Sequence, residues 1–488
     1  LKFRAYMAHY YAASAFISVL MVLFLFNNYR MDSVAKLTWL FIFMLFPLFG
    51  ALMYAFIQTD VGHRMLKRRT TELAAAYRDA LRQEPAVWET LTEESPETAS
   101  LARYMRRWSC YPVYKNTHVT YYPFGEDMFA AMLEEIRAAK RFVFLEFFLI
   151  DEGLMWGRVL EALYERALSG VEVRVMYDGM CELELLSRDY PARLKTLHIR
   201  AKAFSPVHAF VSTHYNYRDH RKILVIDGHT AFTGGVNLAD EYINEIHPFG
   251  RWKDTAVRVK GDAARSFTLM FLQQWNLTEK AQVPPLGEYL TPERLYDHAA
   301  CKIPQEEGYV IPYGNNPLSD DKVAEHVYMD ILNRADAYVH IMTPYLILDG
   351  EMETALKLAA MRGVDVKLIL PGIPDKKIPY ALAKSHYRSL LEAGVKLYEY
   401  TPGFVHAKVF VSDDKKAVVG TINLDYRSLY HHFECGVYLY ETPCIADIEA
   451  DFAKTLAECR EATLATLRKE PFGRWLIGAV MKVFAPLL

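Results

Sequence analysis

Two short stretches of this sequence repeat one pattern of residues that can do acid–base chemistry. The pattern is His-x-Lys-x-x-x-x-Asp, and its two copies start at His220 and at His406. The candidate catalytic residues are His220, Lys222 and Asp227 in the first copy and His406, Lys408 and Asp413 in the second. An imidazole can act as nucleophile or as general acid and base near neutral pH, and an ammonium group binds anions. The copies are therefore either two strands with charged ends or two halves of one site.

Each copy is predicted to lie on a β-strand. "HRKILVID" and "HAKVFVSD" run into β-branched and aromatic residues and stop at a turn, which is typical of strands. Side chains alternate along a strand, so the histidine and the lysine of each copy share one face and can share a ligand. Asp227 and Asp413 have the opposite parity. Although they belong to the motif, we expect these aspartates to fix the local backbone.

A second block of residues follows each copy in the same register. Gly234 stands at the same offset from His220 as Gly420 does from His406, and Asn237 and Asn423 also share one offset from the motif histidines. Two copies with equal offsets are a much rarer accident than one copy. The candidate substrate-binding residues in this block are Gly235, Asn237, Thr421 and Asn423.

A phosphodiester suits this set of residues. Two ammonium groups and amide donors can hold its non-bridging oxygens. One neutral imidazole can attack phosphorus, while the other gives a proton to the leaving alkoxide and then acts as base towards an incoming hydroxyl. The sequence has no carboxylate cluster suited to Mg²⁺, and its six cysteines have no zinc-ligand spacing. We therefore expect no metal and no cofactor.

A histidine in such a role usually needs a carboxylate to fix its tautomer and to stabilise the imidazolium. Glu434 follows the second motif, and Asp254 stands at a comparable place after the first. We expect these two carboxylates to orient the motif histidines. The alternative is that both carboxylates are salt-bridge partners at strand ends.

The two motifs follow segments that resemble each other, at 141–179 and 337–372. Each segment reads as an apolar strand, an amphipathic helix, a Gly-Val turn and a second apolar strand. Such alternation predicts an α/β fold of two similar domains, each with a mixed, mostly parallel sheet sandwiched by helices. We place these domains at 116–295 and 296–470, after a juxtamembrane helical linker at 61–115.

The N-terminal region is strongly apolar. His9–Phe26 and Leu37–Ile57 contain no Asp, Glu, Lys or Arg, and each is long enough to cross a bilayer. We therefore predict a transmembrane helical hairpin at 1–60. More basic residues flank the hairpin than lie in its loop, which predicts a body on the cytoplasmic side of the inner membrane. Residues 471–488 read as an amphipathic interfacial helix, with a helix docked on the core as the alternative.

The charge balance limits the class of partner. The chain has 56 Lys and Arg and 59 Asp and Glu, a formal net charge of −3. Because no basic excess is present, we expect no nucleic-acid partner. Membrane lipids remain the expected partners, and self-association into a homo-oligomer is left open.

The paired motifs with "FTGGVNLADEY" and "VVGTINLDYRS" resemble the phospholipase D superfamily. The apolar N-terminus, "YRDHRK", "RWKDT" and the C-terminal "FAPLL" resemble the bacterial cardiolipin synthases within it. This resemblance implies two phospholipase-D-like domains and a phosphatidyltransferase that joins two phosphatidylglycerol molecules into cardiolipin and glycerol. It implies that His220 is the nucleophile, that His406 is the general acid and base, and that the motif lysines and asparagines bind phosphate.

The sequence departs from the family pattern at two positions. Ala407 stands where many relatives have serine, and His432 stands before Phe433 where asparagine is common. Both departures bear on the choice of acceptor. Two other functions remain open: a phospholipase D-type hydrolase of phospholipids, and a membrane scaffold without catalysis.

Overall fold

The computed structural model describes residues 2–28, 31, 33–59, 61–206, 217–279, 286–291, 307–319 and 321–485. Its N-terminal part consists of helices α1 (Lys2–Asn27), α2 (Ser33–Leu45) and α3 (Pro47–Thr59). Within the described residues, α1 is the one helix long and apolar enough to cross a membrane, over His9–Asn27. The predicted second span is divided at Pro47, because proline has no backbone N–H to continue the helix. The transmembrane hairpin is therefore not confirmed.

Helices α4 (Val61–Ala76), α5 (Pro85–Glu94) and α6 (Pro96–Ser109) cover most of the predicted linker. Ser95 caps α6 by accepting a hydrogen bond from the backbone N–H of Thr98 at 3.3 Å. Leu91 and Met105 are buried against the second half of the chain, in the same core as Ile311. The segment therefore packs into the body along its length.

The first half contains nine strands among its described residues: β1 (Thr117–Tyr122), β2 (Phe142–Phe147), β3 (Glu172–Asp178), β4 (Arg200–Phe204), β5 (Arg218–Asp219), β6 (Lys222–Ile226), β7 (Thr230–Gly234), β8 (Arg251–Lys253) and β9 (Ala256–Gly261). Its helices are α7 (Gly125–Ala138), α8 (Leu154–Leu168), α9 (Cys181–Glu184), α10 (Tyr190–Thr196), α11 (Ala264–Leu277) and α12 (Gly287–Leu290), with a 3₁₀ turn at Asp240–Ile243. Seven of the strands form one sheet in the order β1-β9-β7-β6-β2-β3-β4.

The second half repeats this architecture. Its described strands are β10 (Tyr309–Asn315), β11 (Tyr338–Met342), β12 (Asp365–Pro371), β13 (Lys396–Tyr400), β14 (Gly403–Val405), β15 (Val409–Ser412), β16 (Lys416–Gly420), β17 (His432–Tyr440) and β18 (Cys459–Ala462). Its helices are α13 (Val323–Arg334), α14 (Gly350–Met361), α15 (Lys377–Glu392), α16 (Cys444–Ala457), α17 (Leu464–Leu467) and α18 (Phe472–Phe484), with a π-helical turn at Arg427–His431. The sheet order is β10-β17-β16-β15-β11-β12-β13-β18.

Both sheets are mixed, but the prediction that they are mostly parallel is wrong. Within the described residues of each half, β2–β3–β4 and β11–β12–β13 are the parallel runs, and the other neighbours along the two sheets are antiparallel. The reason is that the motif strand turns back at once as a hairpin, β6–β7 or β15–β16, and a tight hairpin requires antiparallel strands. The predicted domain boundary at 295 and 296 lies outside the described residues.

A shared apolar core joins the two halves. On the first sheet, the side chains of alternate residues, such as Phe142 and Phe144, lie on the face opposite α7 and α8 and pack in this core. Val409 and Val437 of the second sheet lie in the same core, as do residues of α11 and α16. The opposite face of the first sheet packs on α7 and α8 through side chains such as Val143 and Leu145. The halves therefore form one packed body around their interface.

Candidate active site

Two short pairs of parallel strands cross between the halves and bring the motifs together. Strand β5 of the first half pairs with the start of β17, and β14 of the second half pairs with β8. Each crossing continues through a motif histidine. The backbone N–H of His220 donates to the carbonyl oxygen of Phe433 (2.9 Å), and that of His406 donates to the carbonyl oxygen of Lys253 (2.7 Å). The two halves thus exchange equivalent strands about an approximate two-fold relation.

The crossing pairs each histidine with the carboxylate of the other half. Nδ1 of His220 lies 2.9 and 3.0 Å from the two carboxylate oxygens of Glu434. Nδ1 of His406 lies 2.6 Å from Oδ2 of Asp254. The sequence predicts that these two carboxylates orient histidines, but not which histidine each one serves. The pairing is crossed because the chain at each histidine pairs with a strand of the other half. With Nδ1–H donating to a carboxylate, Nε2 of each ring carries the lone pair.

Thr421 and Gly235, which are predicted to bind substrate, contact these carboxylates. The hydroxyl of Thr421 donates to Oε2 of Glu434, and the side chain is fully buried. A side-chain carbon placed on Gly235 would lie 2.0 Å from Oδ1 of Asp254. The two positions are equivalent, since each directly follows the repeated glycine of its half. Thr421 therefore holds one carboxylate and Gly235 leaves room for the other, while substrate binding by these two residues stays a prediction.

The repeated Gly234 and Gly420 allow the strand that carries the orienting carboxylate to pack closely against them. A side-chain carbon on Gly234 would lie 2.3 Å from the carbonyl oxygen of Thr255, and one on Gly420 would lie 2.5 Å from that of Cys435. Thr255 and Cys435 each directly follow the orienting carboxylate. Gly234 also has φ = 155°, which disfavours any other residue. Glycine is therefore required for this approach.

The two motif lysines lie in the site and are fully or almost fully buried. Nζ of Lys222 donates to the carbonyl oxygen of His220 at 2.7 Å. Nζ of Lys408 donates to the carbonyl oxygen of His406 and lies 2.9 Å from Nδ1 of that ring. Burial lowers the pKa of Lys222 to about 8 and that of Lys408 to about 7. The two ammonium groups are therefore held away from solvent, an arrangement that suits an anionic ligand.

The same surroundings set the charge of the histidines and of Asp254. Burial, followed by the charges of Lys222 and Lys408, lowers the pKa of both motif imidazoles well below its usual value. Burial raises the pKa of Asp254 to about 7 against the opposing charge of Lys408. In the free site both imidazoles are therefore neutral, as a nitrogen nucleophile must be.

Asp227 and Asp413 lie at the strand ends, where they bind backbone. The Asp227 carboxylate accepts N–H bonds from Lys140, Arg141 and Phe142 at 2.8–2.9 Å. The Asp413 carboxylate accepts the equivalent bonds from residues 336, 337 and 338 at 2.9–3.0 Å. Each aspartate thus anchors the start of the neighbouring strand, and neither makes a described bond to the motif histidine or lysine.

The two asparagines differ in how far the protein already uses their amides. Asn237 accepts from the N–H of Leu149 (3.2 Å) and donates to the hydroxyl of Tyr242 (2.8 Å). Oδ1 of Asn423 is buried and has no hydrogen-bond partner among the described residues. Because an amide oxygen accepts hydrogen bonds, the unpaired Oδ1 of Asn423 cannot bind a phosphate oxygen, and phosphate binding by the two asparagines stays a prediction.

Sequence reasoning missed a buried ion pair beside the first motif. Nε of Arg221 lies 2.8 Å from Oε1 of Glu146 and 3.2 Å from Oδ1 of Asp219. The strand registers make Ala407 and Met342 the equivalents of Arg221 and Glu146 in the second half. The two motifs differ at their middle position, which is arginine in the first and alanine in the second. This difference is the sequence signal that could have indicated the ion pair. Arg221 and Glu146 make the two halves of the site unequal.

His432 is a third imidazole in the site. Its ring centroid lies 5.4 Å from that of His220, and its Nδ1 lies 3.7 Å from Oε1 of Glu434. Ligand atoms of His220, His432 and Glu434 lie within 4.8 Å of one another, a spacing that could admit a metal ion. The buried lysines nearby favour an anion over a cation, so we retain the prediction that no metal is used.

Comparisons with known proteins agree with this fold. A family model described as the cardiolipin synthase PLD-like domain matches residues 132–254 and 328–456. A cardiolipin synthase from Geobacillus sp. (strain WCH70) is 32% identical over 477 residues, covering 96% of this chain and 92% of the relative. An uncharacterised protein from Streptococcus mutans serotype c is 54% identical over 467 residues, covering 96% and 99%.

A solved structure has the same fold at low sequence identity. A phosphatidylserine synthase from Haemophilus influenzae Rd KW20 superposes with a TM-score of 0.61 at 14% identity, covering 80% of this chain and 99% of that one. The fold and the matched domains define a protein of the phospholipase D superfamily. Within that superfamily, the chain belongs to the family of the bacterial cardiolipin synthases.

Proposed function

We propose that this protein is a phosphatidyltransferase that joins two phosphatidylglycerol molecules into cardiolipin and glycerol. The observation that carries the proposal is the crossed arrangement of two neutral imidazoles, each bonded to a carboxylate, around two buried lysines. This arrangement provides a nucleophile, an acid–base group and anion-binding charges in one place. Relatives named cardiolipin synthase over nearly the whole chain supply the choice of substrate.

In the first step, Nε2 of His220 attacks the phosphorus of phosphatidylglycerol. A P–N bond forms, the P–O bond to glycerol breaks, and the leaving alkoxide takes a proton from Nε2 of His406. Lys222 and Lys408 stabilise the charge on the non-bridging oxygens. Glu434 accepts the Nδ1–H of His220 and stabilises the positive charge that develops on the ring.

His406 must carry a proton in that step, although burial and the lysines lower its pKa in the free site. A bound phosphodiester brings one negative charge between the lysines and the imidazoles. A negative charge close to an imidazole raises the pKa of that imidazole. Substrate binding therefore favours protonation of His406, whose imidazolium Asp254 then stabilises.

In the second step, the hydroxyl of another phosphatidylglycerol attacks the phosphohistidine. Nε2 of His406 takes the hydroxyl proton, a new P–O bond forms, and the P–N bond breaks to release neutral His220. If water attacks instead, the product is phosphatidic acid. The ratio of the two products therefore measures transfer against hydrolysis.

We place the catalytic body on the cytoplasmic face of the inner membrane, with the apolar N-terminus in the bilayer. Helix α18 supports a second contact with the membrane interface. Its face formed by Phe472, Trp475, Leu476, Ile477, Val480 and Val483 is exposed. Its other face packs on α15, where a side-chain carbon on Gly478 would lie 2.5 Å from the carbonyl oxygen of Ala381. Helix α18 therefore packs on the body through one face and exposes an apolar face, so the docked and the interfacial interpretations of this segment are compatible.

The test is to incubate the purified full-length protein, in vesicles, with phosphatidylglycerol labelled in its glycerol headgroup. We expect cardiolipin and free labelled glycerol in equal amounts. Phosphatidic acid as the main lipid product would instead support the hydrolase, and no turnover would support a scaffold.

A further inference from the structure

Within the described part of the chain, the site contains three imidazoles, those of His220, His406 and His432, and the transfer mechanism leaves that of His432 unused. It lies at the start of β17, two residues before Glu434, and is 8% exposed. Its Nδ1 is buried and has no hydrogen-bond partner among the described residues. A buried polar atom without a hydrogen-bond partner costs free energy, which the carboxylate of Glu434 offsets only in part from 3.7 Å.

The position of Glu434 sets the tautomer of His432. Nδ1 faces Oε1 of Glu434 at 3.7 Å, so the proton is favoured on Nδ1. Nε2 then carries a lone pair and can accept a hydrogen bond. Burial lowers the pKa of His432 to about 4, so the ring stays neutral and keeps this acceptor at physiological pH.

The equivalent position in the other half holds no such acceptor. Trp252 lies two residues before Asp254, and its ring centroid lies 5.5 Å from that of His406. An indole has a donor N–H and no acceptor. The two ends of the site therefore differ: one end offers a neutral acceptor nitrogen and the other an aromatic wall.

The surrounding charges select what such an acceptor would bind. Burial lowers the pKa of His220, and the charges of Lys222, Lys408 and Lys376 lower it further, beside the carboxylate of Glu434. These lysine charges oppose a further ammonium group and leave a hydroxyl group as the fitting donor. A phosphate oxygen, which is an acceptor, cannot bind an acceptor nitrogen.

We propose that His432 accepts a hydrogen bond from a non-reacting hydroxyl of the lipid headgroup and so selects polyol headgroups. This inference rests on the proposed transferase function and adds the residue that would recognise the headgroup. The hydroxyl that reacts goes to His406, while a second hydroxyl on the same headgroup bonds to Nε2 of His432.

The test is an acceptor competition that needs no knowledge of the enzyme concentration. Full-length protein in vesicles of phosphatidylglycerol receives equal concentrations of glycerol, labelled to distinguish it from released headgroup, and propan-1-ol. Propan-1-ol has the reacting hydroxyl but lacks the second one. We expect the wild-type protein to favour glycerol by about tenfold, the effect of one hydrogen bond. His432→Phe should lose this preference.

Two further variants separate recognition from structure. His432→Asn keeps an acceptor oxygen near the same place and should retain part of the preference. His431→Asn makes the same chemical change one residue away and should leave the preference unchanged. If the wild-type protein transfers to both alcohols without preference, or if His432→Phe keeps the preference, the inference is wrong while transfer stands. If neither alcohol is used and phosphatidic acid accumulates, the proposed function itself fails.

Discussion

Asp254 and Lys408 approach the same nitrogen of His406 with opposite charges. Asp254 must be ionised to stabilise the imidazolium, and Lys408 must be protonated to bind phosphate. Burial raises the pKa of the first to about 7 and lowers that of the second to about 7. At the scale of single residues, the working pH range is therefore set by burial acting on two groups in opposite directions.

The pH dependence of kcat/KM should accordingly be a bell with its maximum near pH 7. Below about pH 7 Asp254 gains a proton and ceases to support His406; above about pH 7 Lys408 loses its charge. In Lys408→Arg the guanidinium stays charged, so the alkaline limb should move up towards the value of Lys222, about 8. Normalised rate profiles in mixed micelles measure this, and an unmoved alkaline limb would show that Lys408 does not set it.

Removal of either motif imidazole should abolish turnover and leave the fold intact. His220→Ala deletes the nucleophile and His406→Ala deletes the acid–base group, whereas neither ring belongs to an apolar core. Thin-layer analysis of labelled lipid products measures the first effect, and thermal unfolding followed by circular dichroism measures the second. A near-wild-type rate in either variant would contradict the shared site.

At the scale of elements, the chain carries its own control, because each half repeats the other's strands. The Arg221–Glu146 pair of β6 and β2 corresponds to Ala407 and Met342 of β15 and β11. Breaking a buried ion pair leaves an uncompensated charge, while replacing both partners by apolar residues is often neutral. The second half shows that apolar residues are compatible with this strand pair.

Arg221→Ala should therefore destabilise the protein by about 1–3 kcal/mol, because Glu146 remains buried without its partner. Burial already raises the pKa of Glu146 well above its usual value, so the lone carboxyl takes up a proton and remains as an unsatisfied polar group. The double variant Arg221→Ala with Glu146→Met copies the second half and should recover most of that loss. Denaturant unfolding of the body measures both. A double variant as unstable as the single one would show that Arg221 acts through Asp219 instead.

The elements also show what sequence could and could not predict. The strands that follow each motif histidine and the strand-end role of Asp227 and Asp413 follow from local alternation, and the structure has them as expected. The prediction that His220, His406 and Lys408 lie on those strands is wrong, because each histidine bonds to the backbone of the other half before the motif strand begins. The crossed pairing of His220 with Glu434 does not follow, because offsets along a chain carry no information about which strands exchange between halves. The antiparallel majority does not follow from the βαβ pattern, because that pattern predicts parallel strands and the motif strands form antiparallel hairpins instead.

At the scale of the whole molecule, helix α18 links the N-terminal helices to the body. The hydroxyl of Thr38 on α2 donates to the carbonyl oxygen of Val483 (2.6 Å), and the rings of Phe41 and Phe484 lie 6.1 Å apart. The exposed apolar side of α18 is therefore held beside the apolar N-terminus. This placement would orient the body relative to the bilayer.

A spin label at position 480 should report lipid when the protein is in vesicles. We expect Val480→Cys, made with the native cysteines replaced, to collide more with oxygen than with a water-soluble nickel complex. Leu168→Cys, at an exposed apolar residue on α8, is the matched control and should show the reverse. Equal accessibility at the two positions would place α18 in water and remove the interfacial contact.

The most direct test of the shared, crossed site uses phosphatidyl-p-nitrophenol, whose leaving group needs no proton. The account predicts a burst of p-nitrophenolate in Asp254→Asn, with the phosphatidyl group trapped on His220 and seen by mass spectrometry, because the nucleophile keeps Glu434. Glu434→Gln should give no burst. A burst from His220 that is lost in Asp254→Asn and kept in Glu434→Gln would show that each carboxylate serves its own half, and would contradict the account.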